Sequence, residues 1–343
     1  MENRSAAGTV LVTGGSGFIA SWIIIRLLQQ GYVIRSTIRH RAREASVRAA
    51  ITTQVDPGNR LTFHAADLLQ DDGWSKAVEG ADFVIHVASP MPVGEYKKTD
   101  VISPAREGTV RVLKAAADAG VQRVVLTSSL VAAMPAVFHE GVCTDETVWT
   151  DLSGKYVNDY TKAKTLAEQD AWSFIGQQEG KMTLTTILPG MVQGPVLSAD
   201  YSGSVELVER MMTGKIPRFP RIGFSVIDVR DLADLHIRAM ESKAAAGERF
   251  IGTSDFLWFS DIARILRTHF GGNAAKVPDR MLPDWLTRLL ACFNPDMRFF
   301  VPNLGQRRQF STQKAAAVLG WQPRRSEEAV IASAESLIRQ SLI

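Results

Sequence analysis

Tyr160 and Lys164 have the residue types and the spacing that most directly suggest chemistry. They stand four residues apart in a segment predicted to be a helix over about 157–178, so both lie on one helix face. A tyrosine hydroxyl has a pKa of about 10 in a peptide, and a neighbouring ammonium lowers that pKa by favouring the phenolate. The pair can therefore act as a general acid or base.

Ser129 is the third candidate catalytic residue. It closes a predicted strand over 122–127 in the pair Ser128-Ser129, where its hydroxyl can hydrogen-bond a carbonyl oxygen and orient it. Tyr-x-x-x-Lys is common by chance, and an exposed helix pair is the simpler explanation of it alone. Its order behind a glycine-rich loop and a serine-ended strand favours a functional site.

The glycine-rich loop lies in the stretch from Thr9 to Ala20, which predicts a buried strand, a turn and the first turn of a helix. Gly14 permits a tight turn, and Gly17 lets the helix start approach a phosphate. Free N–H groups and the helix dipole make such a start an anion site. We therefore expect a dinucleotide pyrophosphate here, although a structural strand–turn–helix is the alternative. The expected contacts are Gly14, Ser16, Gly17, Phe18 and Ile19.

Arg39 decides which dinucleotide the sequence favours. An NAD site places Asp or Glu near the end of the second strand, and no acid occurs from Tyr32 through Arg43. Arg39 stands there instead, followed by Arg41 and Arg43, and a guanidinium fork suits a 2′-phosphate. A solvated basic helix start is the alternative. The prediction is NADP (NADPH), with Arg39 as the main contact.

Small and polar residues follow several later strands. Asp67 and Leu68 come after a predicted strand over 61–64, and Asp67 could accept from an adenine amino group or cap a turn. Ala88 and Ser89 follow a strand over 81–87 and leave room for the middle of a cofactor. Ligands bind at this carboxyl edge in open α/β sheets.

The alternation of six strand-like segments with helices predicts an α/β fold with a Rossmann-type, doubly wound parallel sheet. Segments 225–240 and 249–252 are expected to return to that sheet. The NADP-binding domain would then comprise 1–193 with about 225–253. A smaller, discontinuous α/β substrate lobe would comprise about 194–224 and 254–343.

Composition narrows the possible partners and location. The 343 residues carry a net charge of +3 without long basic blocks, so nucleic acid is not expected as a partner. There is no signal-peptide pattern and no membrane-length apolar run, so a cytoplasmic protein without membrane contact is expected. Cys143 and Cys292 form no Cys-x-x-Cys motif, and no metal site is predicted. A monomer and a homodimer both remain open.

The stretches Thr13-Gly14-Gly15-Ser16-Gly17-Phe18-Ile19-Ala20, Ser128-Ser129 and Tyr160-x-x-x-Lys164 resemble the extended short-chain dehydrogenase/reductase superfamily. The nearest branch is dihydroflavonol-4-reductase-like and includes microbial aldehyde and ketone reductases. The resemblance implies hydride transfer from NADPH to a carbonyl carbon, with Tyr160 delivering the proton and Ser129 steadying the carbonyl. It implies that Lys164 holds the nicotinamide ribose, with Pro189 and Val192 beside the nicotinamide. Ser129 is preferred over Ser128 because the family's catalytic serine is the last before small or apolar residues.

The expected function is therefore reduction of a small-molecule aldehyde or ketone to an alcohol. The apolar run 130–134 stands where plant flavonoid reductases carry an asparagine, which disfavours a polyphenol substrate. An NAD-retaining nucleotide-sugar epimerase or dehydratase is one alternative, weakened because Asp145-Glu146 follows a long loop. A non-catalytic dinucleotide sensor is another, but it could dispense with the tyrosine–lysine pair.

Several other residues are ambiguous in the sequence. His64 and His86 fit satisfied structural histidines better than bases, and segment 138–140 could touch substrate or form a solvated loop. The following residues could line a pocket or belong to the core: Met191, Tyr201, Met211, Met212, Phe219 and Phe224.

Overall fold

The first β–α–β unit of the fold follows the apolar segments of the sequence. In the computed structural model, which describes residues 7–90, 100–137, 141–154, 157–293 and 301–343, it consists of β1 (Thr9–Val12), α1 (Phe18–Gln29) and β2 (Val33–Ile38). Gly31 follows α1 with a φ of 92°, the left-handed conformation that ends helices and favours glycine. The chain can therefore turn back into a strand parallel to β1.

The remaining elements alternate in the same way up to β7 and become shorter afterwards. They are α2 (Glu44–Thr52), β3 (Leu61–Ala65), α3 (Trp74–Val78), β4 (Phe83–His86), α4 (Ile102–Asp118), β5 (Arg123–Thr127), β6 (Cys143–Thr144), α5 (Asp159–Gln177), β7 (Thr183–Pro189), β8 (Met191–Gln193), α6 (Gly203–Met212), β9 (Phe219–Pro220), β10 (Gly223–Asp228), α7 (Val229–Glu241), β11 (Arg249–Gly252), β12 (Phe256–Trp258), α8 (Phe259–Phe270), β13 (Met281–Leu282), α9 (Asp284–Phe293), β14 (Gln309–Phe310), α10 (Gln313–Leu319) and α11 (Ser326–Arg339).

Seven of the described strands form a parallel sheet in the order β11-β7-β5-β4-β1-β2-β3. Strand β1 shows how the sheet is covered on both faces. Val10 and Val12 pack in one buried cluster with α1 and α7, whereas Leu11 packs in the other with α3 and α4. Helices on both faces of a parallel sheet confirm the predicted Rossmann-type α/β fold.

The two segments expected to return to the sheet behave differently. Strand β11 joins its edge beside β7, as predicted. The expectation for 225–228 is wrong, because β10 lies between β8 and β12 in a separate three-stranded sheet. The edge position beside β7 is already taken by β11, so β10 pairs with the short strand β8 that continues beyond Gly190. The Ser225 carbonyl oxygen lies 2.3 Å from where a Gly190 Cβ would be, which only glycine tolerates.

The C-terminal segment is fastened to α7. Trp321 is 1% exposed, and its indole N–H donates to the Asp231 carbonyl at 2.9 Å. The Arg324 guanidinium pairs with the Asp231 carboxylate at 2.8 Å. Helix α11 then packs on α6, α8, β8 and β10. Among the described residues, no helix combines the length and apolarity needed to cross a bilayer.

Replacing Trp321 with Phe should lower the free energy of unfolding by about 2 kcal/mol, because a buried hydrogen bond and packing volume are lost together. The measurement is urea unfolding followed by circular dichroism. Trp285→Phe is the control, since Trp285 is 67% exposed and its loss should cost no more than about 0.5 kcal/mol. Equal unfolding midpoints for the two variants would contradict this account.

Candidate active site

The glycine-rich turn is held against β2 and β4. Gly14 has a φ of 71°, and its amide donates to the Thr37 hydroxyl at 3.0 Å. A Cβ at Gly14 would stand 3.1 Å from the Ala88 backbone. Gly15, which the sequence reasoning left without a role, is more constrained still. A Cβ there would stand 2.1 Å from the Ser36 hydroxyl oxygen, so this turn can approach β2 only with glycine.

Helix α1 begins directly after the glycine-rich loop. Its N-cap is Gly17, and Phe18, Ile19 and Ala20 form the first turn without an acidic side chain. The first amides of a helix have no partner within it. Ser16 and Phe18 also border a small groove, whose opposite wall includes Leu197 and Asp200. This helix start has the geometry of an anion site.

The three arginines after β2 have different surroundings. Arg39 is exposed immediately beyond the end of the strand. Arg41 pairs with Glu44 at 3.6 Å, and Arg43 pairs with Asp200 across the groove beside α1. Arg39 therefore stands nearest the carboxyl end of β2, where the sequence reasoning expected a 2′-phosphate contact.

The other expected cofactor contacts lie at the same edge of the sheet. Asp67 accepts an amide hydrogen bond from Leu69 at 3.0 Å, so it does cap a turn. Leu68 packs against Gly108 of α4. The amide of Ala88 donates to the Thr13 hydroxyl at 3.0 Å, and Ser89 follows it partly exposed. These residues follow β3 and β4, as the sequence predicted.

Tyr160 and Ser129 are brought together in the wall of one cavity. Asn158 caps α5 by accepting the Thr161 amide at 2.8 Å, which places Tyr160 in the first turn. Ser129 is close enough to the Tyr160 hydroxyl to influence its pKa. Burial raises the pKa of Tyr160, and the interaction with Ser129 opposes that rise. The lowering of the Tyr160 pKa that was expected from Lys164 is therefore not found. Loss of water destabilises the phenolate more than the interaction with Ser129 stabilises it.

Lys164 lies one turn further along α5 and is buried. Its ammonium donates to the Thr127 carbonyl at 3.2 Å. Burial lowers the pKa of Lys164 to about 8, while the charge of Glu168 acts in the opposite direction. Lys164 is thus mostly protonated at neutral pH, and its ammonium lies at the end of β5, two residues before Ser129.

Ser128 and Ser129 have different partners. The Ser128 hydroxyl donates to the buried Glu168 carboxylate at 2.5 Å, on the side away from the cavity. Ser129 lines the cavity with Tyr160. Successive residues of an extended strand point to opposite sides, which explains the division. The geometry favours Ser129 as the serine that can meet a substrate.

Glu168 and Arg249 form a buried ion pair that the sequence reasoning did not assign a role. Their side chains are 0% and 9% exposed, and Arg249 Nε lies 2.8 Å from Glu168 Oε1. Glu168 also accepts from the Thr186 hydroxyl at 2.7 Å. The Arg249 guanidinium stacks on the Trp149 ring at 3.7 Å. The only sequence signal was the position of Glu168, four residues after Lys164 on the same helix face.

The substrate side of the site is a cavity of about 1240 Å³ with mostly apolar walls. Pro189, Met191 and Phe224 line it together with Ser129 and Tyr160. Val192, the residue after Met191, is buried. Of the other residues considered for the pocket, Met211, Met212 and Phe219 belong to the core, and Tyr201 packs against that core. Segment 138–140 lies outside the described residues.

His86 and His64 are not fully satisfied, contrary to the sequence expectation. The Thr13 hydroxyl accepts from the Val87 amide and therefore donates to His86 Nδ1 at 2.8 Å. His86 Nε2 and His64 Nδ1 are buried without a hydrogen-bond partner among the described residues. Burial and the Lys164 charge lower the pKa of His86 to about 3, so it stays neutral and is a poor base.

A seven-stranded parallel sheet with a glycine-rich first turn, a serine-ended strand and a Tyr-x-x-x-Lys helix defines a Rossmann-type protein of the extended short-chain dehydrogenase/reductase group. The chain belongs to the NAD dependent epimerase/dehydratase family, whose model matches residues 10–251. The resemblance recognised in the sequence is thereby confirmed.

Individual relatives agree with this assignment. Cinnamoyl-CoA reductase CAD2 of Medicago truncatula is 34% identical, over 83% of this chain and 87% of its own. Dihydroflavonol 4-reductase of Zea mays is 33% identical, over 78% and 75% respectively. The yeast methylglyoxal/isovaleraldehyde reductase Gre2, solved with NADPH, has the same fold with a TM-score of 0.80 and 23% identity, covering 98% of this chain and 100% of that one.

His236 provides a pH-dependent test of how the site is supported. It lies in α7, where its ring bridges the Thr127 hydroxyl and the Leu232 carbonyl, each at 2.8 Å. Burial lowers its pKa from 6.5 to about 4. As pH falls, the unfolded chain therefore binds a proton at this histidine before the folded protein does. The contribution of His236 to the free energy of unfolding is lost as pH falls from about 6.5 to about 4.

We expect the free energy of unfolding to fall between pH 7.5 and 4.5, with roughly 2–3 kcal/mol of the loss due to His236. His236→Gln should reduce the loss by that amount. His269→Gln, at an exposed histidine of α8, should leave it unchanged. Urea unfolding at both pH values measures the effect, and identical losses in all three proteins would refute the role of His236.

Proposed function

We propose that this protein is an NADPH-dependent reductase that converts aldehydes or ketones to alcohols. The observation that carries the proposal is that Tyr160 and Ser129, from different elements, line the same large apolar cavity. This cavity begins at the carboxyl edge of the sheet, where the glycine-rich turn also lies. The similarity to plant reductases supports a reductase of the extended short-chain type.

The residues of this edge fit a dinucleotide. The turn at Gly14 and Gly15 has no room for a side chain, and the amides of Phe18 and Ile19 begin α1 behind Ser16 and Gly17. We assign the pyrophosphate to this helix start. The other proposed contacts are Arg39 for the 2′-phosphate, Asp67 for the adenine amino group, Leu68, Ala88 and Ser89 along the middle, Tyr160 and Lys164 at the nicotinamide ribose, and Pro189 and Val192 at the nicotinamide.

Bound NADPH would supply the hydride. Tyr160 supplies the proton to the carbonyl oxygen, and its raised pKa keeps the phenol protonated and able to donate at neutral pH. The Ser129 hydroxyl holds the same oxygen in position. Lys164 contributes at the nicotinamide ribose, with a buried ammonium one turn further along α5.

Tyr160→Phe should lower kcat/KM for carbonyl reduction at least about 100-fold, because the proton donor is removed. The dissociation constant for NADPH should change less than about threefold, since phenylalanine preserves the packing. NADPH absorbance is followed with aldehydes, α-ketoesters, diketones and aryl ketones, and NADPH binding is titrated separately.

Tyr201→Phe is the matched control, because Tyr201 packs against the core outside the cavity. It should keep wild-type activity. Undiminished turnover by the Tyr160 variant would remove the mechanism. A nucleotide that copurifies with the protein, with no net consumption of NADPH, would favour an epimerase or dehydratase instead.

Arg39→Ala tests the cofactor preference. A charge-assisted contact to phosphate contributes roughly 1.5–3 kcal/mol, so the dissociation constant for NADPH should rise about 10- to 100-fold. NADH binding should change little, because NADH has no 2′-phosphate. The control is Arg26→Ala, which removes an arginine from the last turn of α1, at the end of the helix away from the glycine-rich loop. Fluorescence titration measures both cofactors, and a wild-type preference for NADH would contradict the assignment.

A further inference from the structure

Helix α9 turns its largest apolar side chains away from the protein. Trp285, Leu289 and Phe293 are 67, 49 and 81% exposed and follow one another at intervals of four residues, so they form one stripe on the helix. The buried positions of α9 are taken by the smaller residues Thr287 and Ala291. A helix that packs on a protein core normally places its large apolar residues inward. The α9 stripe therefore has the properties of a contact surface.

The α9 stripe borders the apolar cavity. Leu290 is exposed next to Leu289 and also lines the cavity. Met281 is exposed in β13, and the following residue, Leu282, lines the cavity as well. Apolar surface is therefore continuous from the outside of α9 to the cavity mouth. Contiguous exposed apolar surface of this kind marks a site of interaction.

The segments around the stripe carry a net positive charge. Segments 203–221 and 276–293, which contain α6, β9, β13 and α9, have seven basic and four acidic side chains. Each carboxylate has a basic partner within 4.0 Å: Glu206 with Arg210, Glu209 with Lys215, Asp279 with Arg280, and Asp284 with Arg221. The other three cations, Arg218, Lys276 and Arg288, are exposed. The positive charge of this side therefore persists after its ion pairs are taken into account.

A lipid surface fits this combination better than a second copy of the chain. In a symmetric dimer the same patch faces itself, so two positively charged surfaces would meet and repel each other. An anionic bilayer attracts those charges and accepts Trp, Leu and Phe side chains at the depth of its headgroups. Helix α9 has ten residues and a length of roughly 15 Å, so it would lie along a bilayer whose hydrocarbon core is about 30 Å thick.

We propose that the α9 stripe binds an anionic phospholipid surface, with Trp285, Leu289 and Phe293 inserted at headgroup depth and Arg288 beside the phosphates. The cavity mouth then opens at the membrane, where apolar ligands are concentrated. The sequence analysis expected no membrane contact because it considered a membrane-length apolar run, and a helix of this length lies below that threshold. The proposal goes beyond the reductase function and does not depend on it, because it uses none of the catalytic or cofactor-binding residues.

Sedimentation with vesicles tests the proposal on the wild-type protein. The probes are vesicles of phosphatidylcholine alone and vesicles that also contain about 30% phosphatidylserine. The apparent dissociation constant should be at least about 10-fold lower for the anionic vesicles, because the net positive charge is attracted only to them. Raising NaCl from about 0.05 to about 0.5 M should remove most of that difference.

Leu289→Gln/Phe293→Gln should weaken binding to the anionic vesicles at least about 10-fold, because two apolar side chains no longer leave water. The control is Val318→Gln/Ile338→Gln, which changes two exposed apolar side chains on α10 and α11 and should bind like the wild type. All four substituted residues are exposed, so circular dichroism should show unchanged thermal midpoints for both variants.

Arg288→Gln isolates the electrostatic part of the contact. It should raise the apparent dissociation constant for the anionic vesicles about fivefold and leave binding to the neutral vesicles unchanged. The control is Arg339→Gln, which removes the same charge from the last turn of α11 and should change binding less than about twofold. Trp285 supplies a direct signal, because anionic vesicles should shift the wild-type tryptophan emission to shorter wavelength and should not shift that of Trp285→Phe.

The outcomes decide what covers the stripe. Weaker vesicle binding by the α9 variants, with both controls unaffected, supports the proposal. It is overturned if the wild type does not bind the anionic vesicles, or if Leu289→Gln/Phe293→Gln binds them equally well. A wild-type dimer in sedimentation velocity that this variant cannot form, without vesicle binding, would assign the stripe to a contact between copies and overturn the proposal too. Binding is measured without cofactor or substrate, so neither result bears on the reductase function.

Discussion

The structure depends on the buried ion pair between Glu168 and Arg249. The Glu168 carboxylate joins α5, which carries Tyr160 and Lys164, to the end of β5 through Ser128 and to β11 through Arg249. Removing one member of such a pair leaves an uncompensated charge in the interior, typically at a cost of about 3–5 kcal/mol. The helix that carries Tyr160 and Lys164 is therefore held in one position against β5 and β11.

The same interior sets the protonation of the candidate catalytic groups. Burial removes the water that would stabilise the charged form of each group. The pKa of Lys164 is therefore lowered and the pKa of Tyr160 is raised. Glu168 opposes the effect on Lys164, and Ser129 opposes the effect on Tyr160. The result is a phenol and an ammonium on one face of α5, each mainly protonated at neutral pH.

The cavity wall combines strands that leave the main sheet with a segment from near the C-terminal end of the chain. Strands β8 and β10 leave the main sheet after Gly190 and form the cavity wall that contains Met191, Phe224 and Ser225. This wall is apolar and fits hydrocarbon. Arg308 interrupts it with a cation supplied from far along the chain.

The sequence determined the β–α–β order, the positions of all seven main-sheet strands, the helix start at the glycine-rich loop and the shared helix face of Tyr160 and Lys164. These are local properties, fixed by patterns of a few residues. Tertiary structure decided which serine faces the cavity, the rise in the Tyr160 pKa, the separate sheet of β10 and the position of Arg308. Each depends on groups distant in sequence, such as Ser128 with Glu168 at a separation of 40 residues and Glu168 with Arg249 at 81. Local patterns cannot specify such contacts, because only the packed sheet brings those side chains and their desolvation together.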